Sequence, residues 1–303
     1  MTHGIIPVNK PCGLSSAKVV SRVKSILHVK KAGHTGTLDP EATGLLVCGI
    51  NKGTKLSRFL LNGPKTYSAG IHLGIETDTL DASGRVVKTF NKNLSEIITK
   101  EIVLQALEQF TGWISQEPPV YSALKHKGQP LYRLARAGKP VVKPPRDIEI
   151  FNIRLVEIKL PVVTIVVHCT AGTYIRSLAR DIGRHLGCGA HLSSLCRTEC
   201  CGLFLENAIS LADLEAMDRK TAHAQVVSLA DSLPAMPLIQ ADDRLLETIK
   251  FGRAIKIRDH PQLDKNLNKS SFFRICDTDR ELAAIVEYNK TLEQFKYSCV
   301  FAS

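Results

Sequence analysis

The chain has 303 residues, 44% of them hydrophobic, and forty Lys and Arg against twenty-nine Asp and Glu give it a formal net charge of +11. This length accommodates one large folded domain and a small one. No apolar run approaches the roughly 20 residues of a membrane helix, and no secretory signal opens the chain, which predicts a cytoplasmic protein. The positive charge favours a polyanionic partner such as nucleic acid.

The chain begins with a pattern that predicts a strand followed by a helix. Residues 4–8 are apolar, and residues 9–13 have the composition of a turn. Ser15 or Ser16 is placed to cap a helix whose apolar residues recur at helical spacing. The rest of that helix is basic, and it leads into the loop that carries the candidate chemistry.

That loop, residues 33–44, reads GHTGTLDPEATG and is followed by the apolar run of residues 45–48, which predicts a buried strand. Its three glycines permit backbone conformations and close approaches that larger residues resist. Its one aspartate, Asp39, precedes a proline that has no N–H to donate. On these residues alone Asp39 is either a turn-former or a nucleophile.

Residues 67–73 alternate apolar and polar side chains, which predicts a strand with one face toward the core. Tyr67 starts that strand, either as a core tyrosine or as a ring that faces a ligand. Residues 77–84 hold two acids, Asp78 and Asp81, and a Ser-Gly turn signal, and they predict an exposed connection. Thr99 is placed to cap a further helix.

A proline-broken, single-sign segment follows. From residue 121 to residue 146 there are seven Lys or Arg and no Asp or Glu, with two tyrosines interleaved. This composition is poorly suited to a core and predicts a loop-rich insertion, at about residues 118–147, that lies along phosphates. A merely solvated basic loop is the alternative.

The remaining chain predicts two strands, a helix and a small second domain. Residues 148–160 and 162–167 have strand character, and a helix begins near Tyr174. Arg176 lies in its first turn, where backbone N–H groups favour negative charge, although an arginine there is usually a surface residue. After a linker near residues 231–237, short strand-like segments predict a β-rich domain. The predicted domains are therefore residues 1–235 and 236–303.

Nine cysteines are scattered along the chain and form no Cys-x-x-Cys pair. Cys196, Cys200 and Cys201 are close together but lack a second ligand pair at zinc-like spacing. Reduced, mostly buried thiols are therefore expected, with no metal site. A metal-dependent or thiol hydrolase has only these scattered residues in its favour.

Residues 33–44 and the strand after them resemble the catalytic motif of the TruB-type tRNA pseudouridine synthases. The resemblance covers roughly the first two-thirds of the chain. It continues, in the family's order, at residues 65–67, 77–84, 119–125, 172–176 and 187–192. The carboxyl-terminal segment resembles, more loosely, the PUA-like domain that often closes these enzymes.

The resemblance implies an α+β fold: a central mixed, mainly antiparallel sheet flanked by helices, and a small β-rich PUA-like carboxyl-terminal domain. It also implies a role for each of six residues. These are Asp39 as nucleophile, Arg176 as its electrostatic partner, Tyr67 as the ring facing the uracil, Tyr174 as a pocket wall, Leu195 as an apolar wall and His34 as the residue that stacks into the RNA.

The implied reaction converts uridine 55 of the tRNA T-arm loop into pseudouridine after the base is flipped out. It needs no cofactor or metal, no membrane and no obligatory protein partner, and a monomer is expected. Guide-dependent synthases that act in ribonucleoproteins resemble this chain around Asp39 but usually carry longer, more basic terminal extensions, which favours the stand-alone form. A non-catalytic RNA-binding or tRNA-folding module is the other alternative. Whether Asp39 attacks the base or the sugar is left open.

Overall fold

The computed structural model describes residues 2–91, 93–260 and 271–302. The strands are β1 (Gly4–Lys10), β2 (Ala32–His34), β3 (Thr43–Ile50), β4 (Lys65–Leu73), β5 (Ile75–Thr77), β6 (Val86–Thr89), β7 (Gly112–Gln116), β8 (Lys125–His126), β9 (Gln129–Pro130), β10 (Arg146–Lys159), β11 (Val162–Cys169), β12 (Ala190–Cys200), β13 (Leu203–Phe204), β14 (Ile209–Ser210), β15 (Leu238–Gln240), β16 (Ile255–Lys256), β17 (Phe272–Cys276), β18 (Leu282–Asn289) and β19 (Gln294–Val300). The α-helices are α1 (Ser16–Ile26), α2 (Ser57–Asn62), α3 (Leu94–Ile97), α4 (Lys100–Glu108), α5 (Leu131–Arg136), α6 (Ile175–His185), α7 (Leu211–Ala216), α8 (Arg219–Ala224) and α9 (Asp243–Lys250). Short 3₁₀ helices span Asn51–Leu56, Leu205–Asn207 and Ile257–Asp259.

A ten-stranded sheet, called the large sheet below, forms the centre of the molecule. Its order is β14-β1-β3-β12-β4-β11-β10-β7, with β13 added to β12 and β2 added to β3. Two of its pairings are parallel, β1 with β14 and β3 with β12, and the others are antiparallel. This arrangement confirms the predicted mixed, mainly antiparallel sheet.

The helices α1, α4 and α6 contribute their apolar faces to the same core as the large sheet. Ser15 accepts a hydrogen bond from the third residue after it at the start of α1, and Thr99 does the same at α4, so both predicted caps are confirmed. In β4 the predicted alternation buries Tyr67, Ala69, Ile71 and Leu73 on the core side. The sheet face that carries Tyr67 is therefore covered by helices except where the cavity described below opens.

A second sheet, the small sheet, has the order β15-β17-β18-β19-β16. It packs around its own core, which includes residues of α9. A separate apolar cluster joins the two sheets, since it contains Leu45 and Leu60 from the first part of the chain and Ile285 and Phe301 from the last. This confirms a β-rich carboxyl-terminal unit, whereas the boundary at residues 235 and 236 stays a prediction.

The basic insertion, residues 118–147, is more ordered than its composition predicted. It contains the β8–β9 hairpin and the helix α5, in which Leu131 and Ala135 are buried. These apolar residues are four positions apart and so share one helix face, which gives the segment a packing surface. Its arginines Arg133 and Arg136 remain exposed.

Candidate active site

Residues 35–42, the Asp39 loop, connect the adjacent strands β2 and β3. Ser16 of α1 holds the loop at Leu38, because its hydroxyl accepts from the Leu38 N–H at 2.8 Å and donates to the Leu38 carbonyl at 2.9 Å. On the other side of Asp39, the Lys10 ammonium donates to the Pro40 carbonyl at 2.9 Å. Lys10 is fully buried, and this burial lowers its pKa. Asp39 therefore lies between two anchored neighbours.

Two glycines let the loop pass close to β12. Gly36 has φ +138° and Gly44 has φ +96°, values that side chains with a Cβ rarely adopt. A Cβ added to Gly44 would lie 2.4 Å from the Arg197 carbonyl oxygen. The close approach of β3 to β12 therefore requires glycine at residue 44.

The change Gly44→Ala is expected to destabilise the protein more than Gly13→Ala, although both residues have positive φ. A Cβ on Gly13 meets nothing within 4 Å, so that variant measures backbone strain alone, about 1–3 kcal/mol. Overpacking against β12 adds about another 1–3 kcal/mol for Gly44→Ala. Urea unfolding of both variants measures the difference, and equal losses would contradict the close approach.

Arg176 organises the acidic groups of the site. Its Nε lies 3.1 Å from the Asp39 Oδ2, and its Nη1 lies 3.3 Å from the Asp81 Oδ2. It also donates to the carbonyls of Thr79 at 3.1 Å and Tyr121 at 2.9 Å. The Arg176 side chain is 8% exposed and the Asp39 side chain 43%. A buried, fixed cation thus holds a carboxylate that remains open to a ligand.

Tyr67 and Leu195 contribute to the cavity from adjacent strands, since β4 and β12 pair side by side. Burial raises the pKa of the Tyr67 hydroxyl, and the positive charge of Arg197 acts in the opposite direction. The net upward direction keeps Tyr67 a neutral phenol at neutral pH. Its ring and the Leu195 side chain can therefore receive a flat, uncharged group.

Tyr174 immediately precedes α6 and is held by Gln116. The Gln116 amide accepts from the Tyr174 N–H at 2.8 Å and donates to its carbonyl at 3.1 Å. The Arg146 guanidinium lies over the Tyr174 ring at 4.9 Å and donates to the Gly172 carbonyl. Its Nε is buried without a hydrogen-bond partner among the described residues. This stack closes the side of the cavity next to the basic insertion.

These groups surround one open cavity of about 340 Å³. Five of the six predicted residues line it: Asp39, Tyr67, Tyr174, Arg176 and Leu195. Two larger cavities, of about 850 and 630 Å³, include residues of the small sheet, and a third, of about 370 Å³, is lined by β10 and β11; none of the three contains Asp39. We take the smaller one as the candidate active site because the ionic and aromatic groups converge there.

His34 is not among the residues that line this cavity. It ends β2, where it pairs with Cys48 of β3, and its side chain is partly buried. Its Nδ1 is buried without a hydrogen-bond partner in the described part of the chain. Burial and the nearby Arg197 charge lower the pKa of His34, which favours the neutral imidazole. His34 therefore precedes the Asp39 loop in the chain and does not line the cavity that contains Asp39.

Two sequence-family models match consecutive parts of the chain. "TruB family pseudouridylate synthase (N terminal domain)" matches residues 24–175, and "tRNA pseudouridylate synthase B C-terminal domain" matches residues 176–236. The chain belongs to the TruB family of pseudouridylate synthases. This confirms the resemblance seen in the sequence, and the candidate site falls within the two matched regions.

Individual TruB-family relatives are similar over most of the chain. A tRNA pseudouridine synthase B of Syntrophus aciditrophicus is 45% identical over 250 residues, which cover 82% of this chain and 79% of that protein. The protein of the same name from Francisella philomiragia is 40% identical over 288 residues, 95% of this chain and 92% of that one.

Solved structures show the same fold. A chain in a crystal structure of a Cbf5–Nop10–Gar1 complex is 25% identical, with a TM-score of 0.73 over 99% of this chain and 85% of that chain. A chain in an archaeal box H/ACA Nop10–Cbf5 complex, with a TM-score of 0.66 over 100% of this chain and 85% of that one, is 22% identical and supports the fold alone.

Sequence reasoning missed several side chains of this TruB-family site. Asp81 belongs to the connection of residues 77–84, which was predicted to be exposed, yet its side chain is only 18% exposed and pairs with Arg176. Hydrogen bonds between Leu192 and this connection, at Leu80 and Ala82, dock it against β12. The two acids of this connection, Asp78 and Asp81, were the available signal. Arg146 and Arg197 gave no local signal, because only the tertiary fold brings them to the cavity.

The described residues contain neither a metal-binding cluster nor a membrane-spanning helix. Within residues 2–91, 93–260 and 271–302, no three His, Cys, Asp or Glu side chains are grouped to hold a metal ion. No helix in those ranges is long and apolar enough to span a membrane.

Proposed function

We propose that this protein converts uridine 55 of the tRNA T-arm loop into pseudouridine, with Asp39 as nucleophile and without a cofactor. The observation that carries the proposal is the Asp39–Arg176 pair, 3.1 Å apart, in a cavity of about 340 Å³ that suits one nucleoside. The relatives named tRNA pseudouridine synthase B support tRNA as the substrate. A cytoplasmic monomer acting on tRNA alone belongs to the same proposal.

The reaction breaks the bond between N1 of uracil and C1′ of ribose, rotates the base and joins C5 to C1′. The hydrogen on C5 leaves as a proton, and N1, freed from C1′, takes up a proton, so atoms and charge balance without a redox step. A carboxylate can hold one of the two fragments covalently between these steps. The partly exposed Asp39 is the only carboxylate among the residues that line the cavity, and it suits this role whether it attacks C6 of the base or C1′ of the sugar.

Arg176 acts as the partner that orients Asp39 and offsets the loss of water around its charge. Tyr67 faces the uracil as a neutral phenol, and Leu195 supplies an apolar surface for the base. Tyr174, held by Gln116 and stacked on Arg146, lines the opposite side. The Arg146 Nε is buried without a hydrogen-bond partner among the described residues, which costs free energy. We therefore propose that it donates to an oxygen of the bound RNA.

A base inside a folded RNA loop must leave its stack before Asp39 can reach it. We assign His34 to the vacated position in the RNA, because its neutral imidazole stands before the Asp39 loop and outside the nucleoside cavity. Stacking on a base contributes about 1–3 kcal/mol and tolerates different sequences. Specificity would then come from the shape of the folded T-arm.

The basic insertion is proposed to grip the phosphates of the tRNA. Changing Arg133 and Arg136 together to Ala is expected to weaken tRNA binding several-fold. It should also reduce the slope of log K against log salt by about 1–2, because up to two phosphate contacts are lost. The matched control removes the exposed arginines Arg154 and Arg219, which lie outside the insertion. Filter binding over a salt series measures both, and an unchanged slope in the first variant would remove the insertion from the interface.

Tritium release tests the proposed reaction, because C5 of uridine loses its hydrogen when pseudouridine forms. The wild-type protein is incubated with tRNA labelled at C5 of uridine, with no cofactor and no guide RNA. We expect about one tritium released per tRNA. Tight binding without release would indicate an RNA-folding module. Release that requires a guide RNA would favour the ribonucleoprotein form.

A further inference from the structure

Arg197 of β12 is a buried cation that the assignments above leave without a function. Its residue exposure is 2%, and it is among the largest fully buried side chains of the protein. Its Nε donates to the Leu45 carbonyl at 2.7 Å, and its Nη2 donates to the Gly36 carbonyl at 3.1 Å. Leu45 follows the Asp39 loop and Gly36 belongs to its first part. Arg197 therefore ties together both ends of the segment that carries Asp39.

No carboxylate in the described ranges forms an ion pair with Arg197. A buried guanidinium without a counter-charge is expensive, because it loses its hydration and gains only neutral hydrogen-bond acceptors. A neutral donor would satisfy the two backbone carbonyls, so these hydrogen bonds alone do not explain a charged side chain. We therefore look for the role of the Arg197 charge in the cavity that Arg197 lines.

The register of the large sheet places Arg197 directly opposite Tyr67. The positive charge of the guanidinium acts on the phenol, because it lowers the Tyr67 pKa that burial raises. Arg197 thus binds both ends of the Asp39 segment and lies at the residue of β12 that pairs with Tyr67.

We propose that Arg197 is a positioning residue that fixes the Asp39 segment relative to Tyr67, so that carboxylate and phenol meet the same flipped base. This inference rests on the proposed function. The other titratable groups facing Tyr67 are the Cys169 and Cys200 thiols, and burial together with these groups raises the pKa of Tyr67. The Arg197 charge acts in the opposite direction and lowers the Tyr67 pKa.

The test compares Arg197→Met and Arg197→Lys with the surface control Arg154→Met. Single-turnover tritium release is measured at saturating tRNA, at a temperature where circular dichroism shows each variant folded. For Arg197→Met we expect a rate about 100-fold lower, the scale of a small misplacement of reacting groups, and a tRNA Kd within about threefold of wild type. Arg197→Lys keeps the charge and should recover part of the rate. The control should match wild type.

A second measurement separates positioning from general support of the fold. The rate loss of the Tyr67→Phe, Arg197→Lys double variant should be smaller than the product of the two single losses, because both changes disturb one contact. The inference would be overturned if the rate loss of the double variant equalled the product of the two single losses, or if folded Arg197→Met had the wild-type rate. Either result would leave the proposed function intact. A wild-type protein that releases no tritium would overturn both.

Discussion

Replacing Asp39 by Asn is expected to abolish pseudouridine formation while leaving tRNA binding nearly intact. Removing the nucleophile of a covalent catalyst costs about 10⁴-fold or more in rate. The Asp39 side chain is 43% exposed and its Oδ2 lies 3.1 Å from the Arg176 Nε, so an amide of the same shape fits with little rearrangement. On the same preparations, tritium release measures the rate and filter binding measures the tRNA Kd. The Kd should stay within about tenfold of the wild-type value, about 1.4 kcal/mol.

The matched control for this experiment is Asp147→Asn. Asp147 is exposed and follows the cavity residue Arg146, but it forms no ion pair among the described residues. Both variants lose one negative charge near the same cavity, so any general effect of charge on RNA binding is shared. Equal rates in the two variants would refute Asp39 as the nucleophile. A parallel loss of binding and rate in Asp39→Asn would refute the separation of chemistry from affinity.

Replacing Arg176 has the second largest expected effect. The guanidinium serves four acceptors from three nitrogens: the Asp39 and Asp81 carboxylates and the Thr79 and Tyr121 carbonyls. Arg176→Met leaves all four without this donor, and we expect the rate at saturating tRNA to fall about 10²–10³-fold. Breaking a buried ion pair also costs about 3–5 kcal/mol of stability. Single-turnover rates and urea unfolding measure the two losses.

Arg176→Lys distinguishes geometry from charge. A lysine ammonium is a single point of charge and does not reproduce the planar fork that reaches both carboxylates. Its rate should therefore stay well below wild type, although the charge is kept. Half-exposed Arg22, which pairs with Glu215, provides the control Arg22→Lys, for which no change is expected. A wild-type rate in Arg176→Lys would show that charge alone is sufficient and would contradict the network.

Local sequence patterns predicted the elements that depend on local rules. The caps at Ser15 and Thr99 and the alternation in β4 were visible because they need only neighbouring residues. The Asp39 loop was visible because a long motif marks it. Tyr174, predicted inside the first turn of α6, lies one residue before the helix, a boundary that depends on its contact with Gln116.

The contacts that complete the site could not be predicted, since they join distant parts of the chain. Asp81 reaches Arg176 across 95 residues, and Arg197 reaches Gly36 across 161. In the sequence around them, Asp81 has the pattern of an ordinary surface acid and Arg197 that of an ordinary arginine in a strand. His34 received its role from the resemblance alone: it ends β2 and does not line the cavity, and its stacking into the RNA stays a prediction.

The most direct test of the central claim is to map the product. An unmodified tRNA transcript is incubated with the purified protein alone, labelled chemically at pseudouridine and read by primer extension. The account predicts a single stop at uridine 55 with wild-type protein and none with Asp39→Asn. No stop in a tRNA that the wild-type protein binds tightly, or a stop at another uridine, would contradict it.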